Sequence, residues 1–198
     1  MLVTGMTVGF IISKTGRYKI YPLVGMLVTT LGLFLFSRLE VTTSLTTLGV
    51  YMFIFGFGLG LVMQVLVLIV QNSFPLSQVG TATSTNNFFR QIGSAIGASL
   101  SGSLFIHNMH NNLEERLPDA LAQMGPQGAE MAKQFGESGA NRLTPELVAG
   151  LPEPVKQAVL TSYNDGLTPV FQLMVPLAIV AFLLLLPVRE EKLKEDLS

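Results

Sequence analysis

The sequence predicts an all-α integral membrane protein, and three observations carry that prediction. Charge is scarce: of 198 residues, 49% are hydrophobic and 13% charged, against about 25% charged in a soluble domain. The charge is also gathered outside long apolar blocks. Between Glu40 and Glu114 the only Asp, Glu, Lys or Arg is Arg90, and between Asp165 and Arg189 there is none. Roughly 20 apolar residues cross a bilayer, so these blocks are too long for ordinary core helices. Finally, no alternating barrel pattern appears, and backbone groups in hydrocarbon must then be paired within helices.

The elements follow in order. "MLVTGMTVGFIIS", residues 1–13, is too short for a full span and reads as the second half of a helix. It has neither a basic leader region nor an A-x-A site, so no cleavable signal peptide is expected. Gly16 suits a tight turn after it, and Lys14, Arg17 and Lys19 crowd the same loop. There they can meet lipid phosphates or the negative end of the preceding helix. Four full spans are predicted at 20–37, 45–70, 79–106 and 167–188. Pro22 falls in a first turn, where its missing N–H costs nothing, and Ser77 after Pro75 is the expected N-cap of the third of these. Pro169 is expected in the first turn of the last span, and Pro176 inside it should bend it.

The connection 107–166 is long, with eight acidic and four basic residues, divided by Pro118, Pro126, Pro145, Pro152 and Pro154. Stretches such as "PVKQAVLTSY" have helical spacing, which predicts short surface helices forming an external cap or a docking surface for an accessory protein. Orientation follows from positive charge at span ends. Lys14, Arg17, Lys19, Arg189, Lys192 and Lys194 share one side, and Arg38 lies on the other. The tail 189–198 is therefore expected in the cytoplasm and the long loop outside.

Several functions are disfavoured. There is no cysteine, so disulfides and thiolate metal sites are absent. A net charge of −1 gives no general attraction for nucleic acid. His107 and His110 stand three apart without a supporting ligand cluster, so no metal site is expected. No phosphate-binding loop or nucleophile motif is present, which argues against an enzyme and against a bound cofactor. No Asp or Glu lies inside any predicted span, so no buried carboxylate is available for proton coupling.

Two stretches concentrate polar groups within apolar sequence. At 100° per residue, Thr83, Asn86, Asn87, Arg90, Gly93, Ser94, Gly97 and Ser101 share one face of their helix. That face lines a water-filled cavity or packs against another helix, with Gly93 and Gly97 allowing close approach. Arg90 lies roughly 20 Å along the axis from Ser77 at about 1.5 Å per residue, and an arginine at that depth should face protein or water. Snorkelling toward the headgroups is the alternative. In "GFGLGLVMQVLVLIVQN", Gly56 and Gly60 form a GxxxG that suits helix packing. Gly60, Gln64 and Gln71 share a stripe with Phe53 and Phe57, and Gln64 is cheap enough to bury and contact a ligand.

These stretches together resemble a known family. "GFGLGLVMQVLVLIVQNSFPLSQVGTATSTNNFFRQIGSAIGASLSGSLF" is similar to late spans of the fourteen-span drug:proton antiporters of the major facilitator superfamily, the EmrB/QacA type. The similarity rests on the glycine run, Gln64, the pair Gln71 and Asn72, "GTATS" at 80–84 and "FFRQIG" at 88–93. "GFIISKTGRYK" resembles the superfamily's loop signature G-x-x-x-D-[RK]-x-G-R-[RK]-x at Gly9, Lys14, Gly16, Arg17 and Lys19. It departs at Ser13, where that signature has an acid, and at Tyr18, where it has a basic residue.

The resemblance implies part of the C-terminal six-helix half of a major facilitator fold, with four full transmembrane helices and one partial. It implies a multi-pass protein of the inner or plasma membrane that exports small amphipathic organic compounds in exchange for protons. The proton site would lie in an N-terminal half not included in these residues. Phe53, Phe57, Gln64, Asn87 and Ser94 would line the cavity, Arg90 would hold a gate, and lipid would cover the outer spans. A truncated, non-transporting membrane fragment, or an exporter of one metabolite, siderophore or lipid, are the competing expectations.

Overall fold

The computed structural model of the protein describes residues 2–130, 145–188 and 190. The middle of the connection at 131–144 and nearly all of the tail lie outside the described residues. The elements are α1 (Leu2–Thr15), α2 (Ile20–Phe36), α3 (Leu45–Asn72), a 3₁₀ turn (Leu76–Gln78), α4 (Val79–Ala122), α5 (Pro145–Ala149) and α6 (Glu153–Leu185). Residues 126–130 are also helical, and no strand occurs among the described residues. The chain is all-α, and it divides into two compact units.

The first unit comprises residues up to Arg38, Thr43–Ala98, and the chain from Phe171 onward. Its centre is the contact between α2 and α3. A Cβ on Gly25 would stand 2.7 Å from Val62 Cγ2, and one on Gly58 would stand 2.5 Å from Thr29 Oγ1. A Cβ on Gly32 would lie 2.9 Å from the Cα of Phe55. The two backbones approach as closely as they do because hydrogen atoms occupy those places. Thr29, buried in this seam, gives its hydroxyl proton to the Gly25 carbonyl at 2.8 Å, so its burial leaves no unpaired donor.

Aromatic rings extend the seam. Phe36 is stacked on Phe171 at 5.0 Å and meets Phe55 edge-on at 5.7 Å. Helix α1 packs through Val8 and Ile12 against Leu61, Val65 and Tyr18. It ends at Gly16, whose φ of +69° is a left-handed conformation suited to glycine and whose N–H donates to the Ile12 carbonyl at 2.8 Å. Helix α3 starts on Ser44, whose Oγ accepts from the Thr47 N–H at 3.1 Å. Ser77 lies within the 3₁₀ turn that leads into α4.

The second unit comprises Leu39–Thr42 and Ser99–Val170. Here α4 continues to Ala122 and α6 begins at Glu153, so helix occupies much of the sequence expected as loop. The cause is an amphipathic stripe. Leu113 and Ala120 on α4 close on Val148, Val155, Ala158 and Val159, and the positions on α6 recur at helical spacing. The backbones meet where Gly166 faces Met109, whose Cβ would lie 3.0 Å from an added methyl group. Arg116 donates to Asp165 at 2.6 Å, and Asn164 donates to the Leu39 carbonyl at 3.0 Å. Pro118 stands inside α4, where it deprives the carbonyl of solvent-exposed Glu114 of a helical partner. Pro169 lies inside α6 and not in a first turn.

Helices α3 and α6 are long and apolar enough to cross a membrane, and α2, at 17 residues, is apolar but shorter. Helix α4 is long, but Asn86, Asn87, Arg90 and its charged end dilute its apolar character. A core helix of a soluble protein is mostly buried, whereas only 28% of the most apolar stretch of α3 and 11% of that of α6 are buried.

The α2–α3 seam makes a clear prediction. Gly58→Ala should destabilise the protein by about 1–3 kcal/mol, the range for an overpacked core, measured by thermal unfolding in detergent. Gly93→Ala, whose new methyl meets nothing within 4 Å, should cost nothing measurable.

Candidate functional site

A groove of about 530 Å³ opens between α1 and α3 in the first unit. Helix α1 contributes Gly5, Met6, Gly9, Ile12 and Ser13, and α3 contributes Gln64, Val65, Val67, Leu68 and Gln71. Gly9 leaves space on the α1 wall, where an added Cβ would meet nothing within 4 Å. Gly5 lies so close to α3 that its Cβ would stand 3.0 Å from Gln64 Cγ and 3.6 Å from the Gly60 carbonyl oxygen. Gly60 therefore serves the approach of α1. The α2 contact is served by Gly58, which the GxxxG pattern does not include. Gly56 is half-buried.

The groove's polar groups are few. Gln64 is exposed along it, and Gln71 donates its amide to Thr83 Oγ1 on α4 at 3.2 Å. The Ser13 hydroxyl is engaged with the Phe10 carbonyl at 2.8 Å. Apolar walls with a small number of neutral hydrogen-bonding groups suit an amphipathic organic molecule better than an ion.

A second cavity of about 360 Å³ lies between the end of α3 and the start of α4, with Phe74, Thr85, Asn86 and Phe89 among its walls. Asn87, Arg90 and Ser94 do not line either cavity. Arg90 is exposed, Asn87 is half-buried, and Ser94 gives its hydroxyl to the Arg90 carbonyl at 2.8 Å. An added Cβ on Gly93 or Gly97 meets nothing within 4 Å, so α4 has open space at these two positions among the described residues. Phe53 and Phe57 stack on each other at 6.2 Å and remain exposed on α3, outside the groove.

In the loop after α1, Lys14 lies over the Phe10 ring at 4.3 Å, and Arg17 is exposed. Tyr18 is buried at 1% exposure in the α1–α3 core, which is why an apolar ring stands where the resembling signature has a basic residue. Among the described residues no group of three His, Asp or Glu is placed to hold a metal ion. Of the groove's lining, Gly9, Ser13, Gln64 and Gln71 are singled out by the sequence, and Gly5 and the apolar residues are not. Gly5 had a signal, since with Gly9 it repeats the small-residue spacing of four.

Long helices with largely unburied apolar faces define the class as an all-α chain suited to a membrane. The family model for the Major Facilitator Superfamily matches residues 1–106, and the chain belongs to that superfamily. It is 33% identical over 195 residues to an uncharacterised MFS-type transporter of Mycobacterium tuberculosis, covering 98% of this chain and 26% of the relative. It is 29% identical to the multidrug transporter protein MdtP of Bacillus subtilis, over 87% of this chain and 32% of that protein. A fungal MFS-type efflux pump, LUC4 of Fusarium sp, is 27% identical over 98% of this chain and 33% of its own length. The chain thus spans about a quarter to a third of the curated relatives it matches. No solved structure matches it.

The groove can be tested by filling it. Gly9→Leu places a side chain where a Cβ meets nothing within 4 Å, so the helix should be retained while the groove narrows. Binding of an amphipathic fluorescent dye to the full-length protein should weaken about tenfold, a change of about 1.4 kcal/mol. Equilibrium titration at matched protein abundance measures it.

Proposed function

We propose that this chain is the C-terminal portion of a proton-coupled exporter of amphipathic organic compounds, of the fourteen-span drug:proton antiporter type. The observation that carries the reading is the α1–α3 groove, apolar with Gln64 and Gln71 as its neutral hydrogen-bonding groups. The names of two relatives, a multidrug transporter and an efflux pump, support export as the activity. The work is alternating access between two halves around a central cavity, with this chain supplying one wall. Gln64 orients the compound by hydrogen bonding, and Phe53 and Phe57 present stacked rings on the same helix.

The proposed proton site lies outside these 198 residues, because 20–37, 45–70, 79–106 and 167–188 contain no Asp or Glu. In this reading the protein lies in the cell membrane, with its C-terminus cytoplasmic by the positive-inside rule. The connection 107–166 then stands outside, available to an accessory protein, while lipid covers the outer helices. Arg90 holds the inner gate: it is exposed on the α4 face that also carries Asn87, Ser94 and the unoccupied space at Gly93 and Gly97. A long cation there can bond to carbonyls or acids of the opposing half.

Drug efflux from cells expressing the full-length protein separates these roles. Arg90→Ala should lower efflux about tenfold or more while membrane abundance is unchanged, on the scale of a lost charge-assisted hydrogen bond. Gln64→Leu should alter the ranking of exported compounds. Wild-type efflux by Arg90→Ala would remove the gate role, and export confined to one metabolite would replace the multidrug reading.

A further inference from the structure

The end of α6 and the start of α2 each lack the local charge that a helix end needs, and each receives it from the other. Helix α2 starts at Ile20 with no acid in its first turn, and Lys19 at its N-cap provides no side-chain cap. No Asp or Glu occurs anywhere before Glu40, while Lys14, Arg17 and Lys19 crowd this end. Positive charge beside the positive end of a helix dipole is adverse, and the first N–H groups require acceptors. Ser13 and Thr15 direct their hydroxyl protons to the Phe10 and Ile11 carbonyls, within α1 itself.

The acceptor comes from Glu190, 172 residues away from Tyr18 in sequence. Its Oε1 accepts from the Tyr18 N–H at 2.7 Å and from the Lys19 N–H at 3.1 Å. Helix α6 has the complementary deficit, with no basic residue in its last turn. Lys19 Nζ donates to the Leu186 carbonyl there at 3.0 Å. One carboxylate thus meets the positive end of α2, and one ammonium meets the negative end of α6.

We propose that Glu190 and Lys19 form a reciprocal clasp that ties the loop after α1 to the end of α6, so that the two move as one. Neither can shift beyond hydrogen-bond reach without breaking the bonds it makes to the other's backbone. The clasp rests on these contacts alone and is independent of what the protein transports.

Amide hydrogen exchange of the full-length protein in lipid nanodiscs tests it directly. In Glu190→Ala, exchange at Tyr18 and Lys19 should accelerate about tenfold or more, as expected when a charge-assisted bond is lost. Exchange at Thr29 and Gly58 in the α2–α3 seam should not change. Glu190→Gln, which keeps an acceptor oxygen, should give a smaller acceleration. Lys19→Ala should leave Tyr18 slow, because the Tyr18 N–H bonds to Glu190 and not to the ammonium. Unchanged rates at Tyr18 and Lys19 in Glu190→Ala would overturn the proposal. Equal acceleration throughout α3 would overturn it too, because Glu190 would then hold the whole bundle and not a local clasp.

Discussion

The close approach of α2 and α3 is the contact on which the first unit depends. Gly25, Gly32 and Gly58 remove the side chains that would hold the two backbones apart, and Thr29 fills the seam with its hydroxyl already paired. In a lipid environment apolar burial gives little preference for one helix partner over another, so fit and van der Waals contact decide association. Once α3 is fixed against α2, its other side is free to take α1. Gly5 and Gly60 then set the distance that leaves a groove beside Gln64.

The polar groups are distributed by the same economy. Within the first unit the buried polar side chains are neutral, and Thr29 bonds to its own helix. Charge in this unit lies at helix ends and the loops beside them, and at Arg90 on the exposed face of α4. The second unit uses a water-soluble style of packing, with a Val, Leu and Ala core and an Arg116–Asp165 ion pair. The two styles suit the two environments that a membrane-embedded chain meets.

Much of the architecture was legible because apolar runs and helices coincide in α2 and α3, where few competing signals exist. The continuations of α4 and α6 were less legible. Glu114, Glu115, Pro118 and Asp119 read as loop chemistry, while the stripe from Leu113 to Ala120 that makes them helical is stabilised by partners on α5 and α6. Of the groove, Gln64 and Gly9 stood out as residues, but their meeting across α1 and α3 required knowing which glycine faces which helix. Gly58 has no spacing signal of its own, because the GxxxG pattern falls at Gly56 and Gly60. The Glu190 contact had no sequence signal, since nothing in a charged tail announces a partner 172 residues distant.

The central claim is that the α1–α3 groove is part of a transport cavity. These 198 residues contain no cysteine, so Gln64→Cys, made in the full-length protein with any cysteine elsewhere replaced by serine, introduces a single thiol. The decisive measurement is the rate at which a water-soluble maleimide labels that thiol in the full-length protein, with and without an exported compound. The account predicts labelling that slows as the compound saturates its site. A thiol that labels at the same rate whether or not the compound is bound would contradict it.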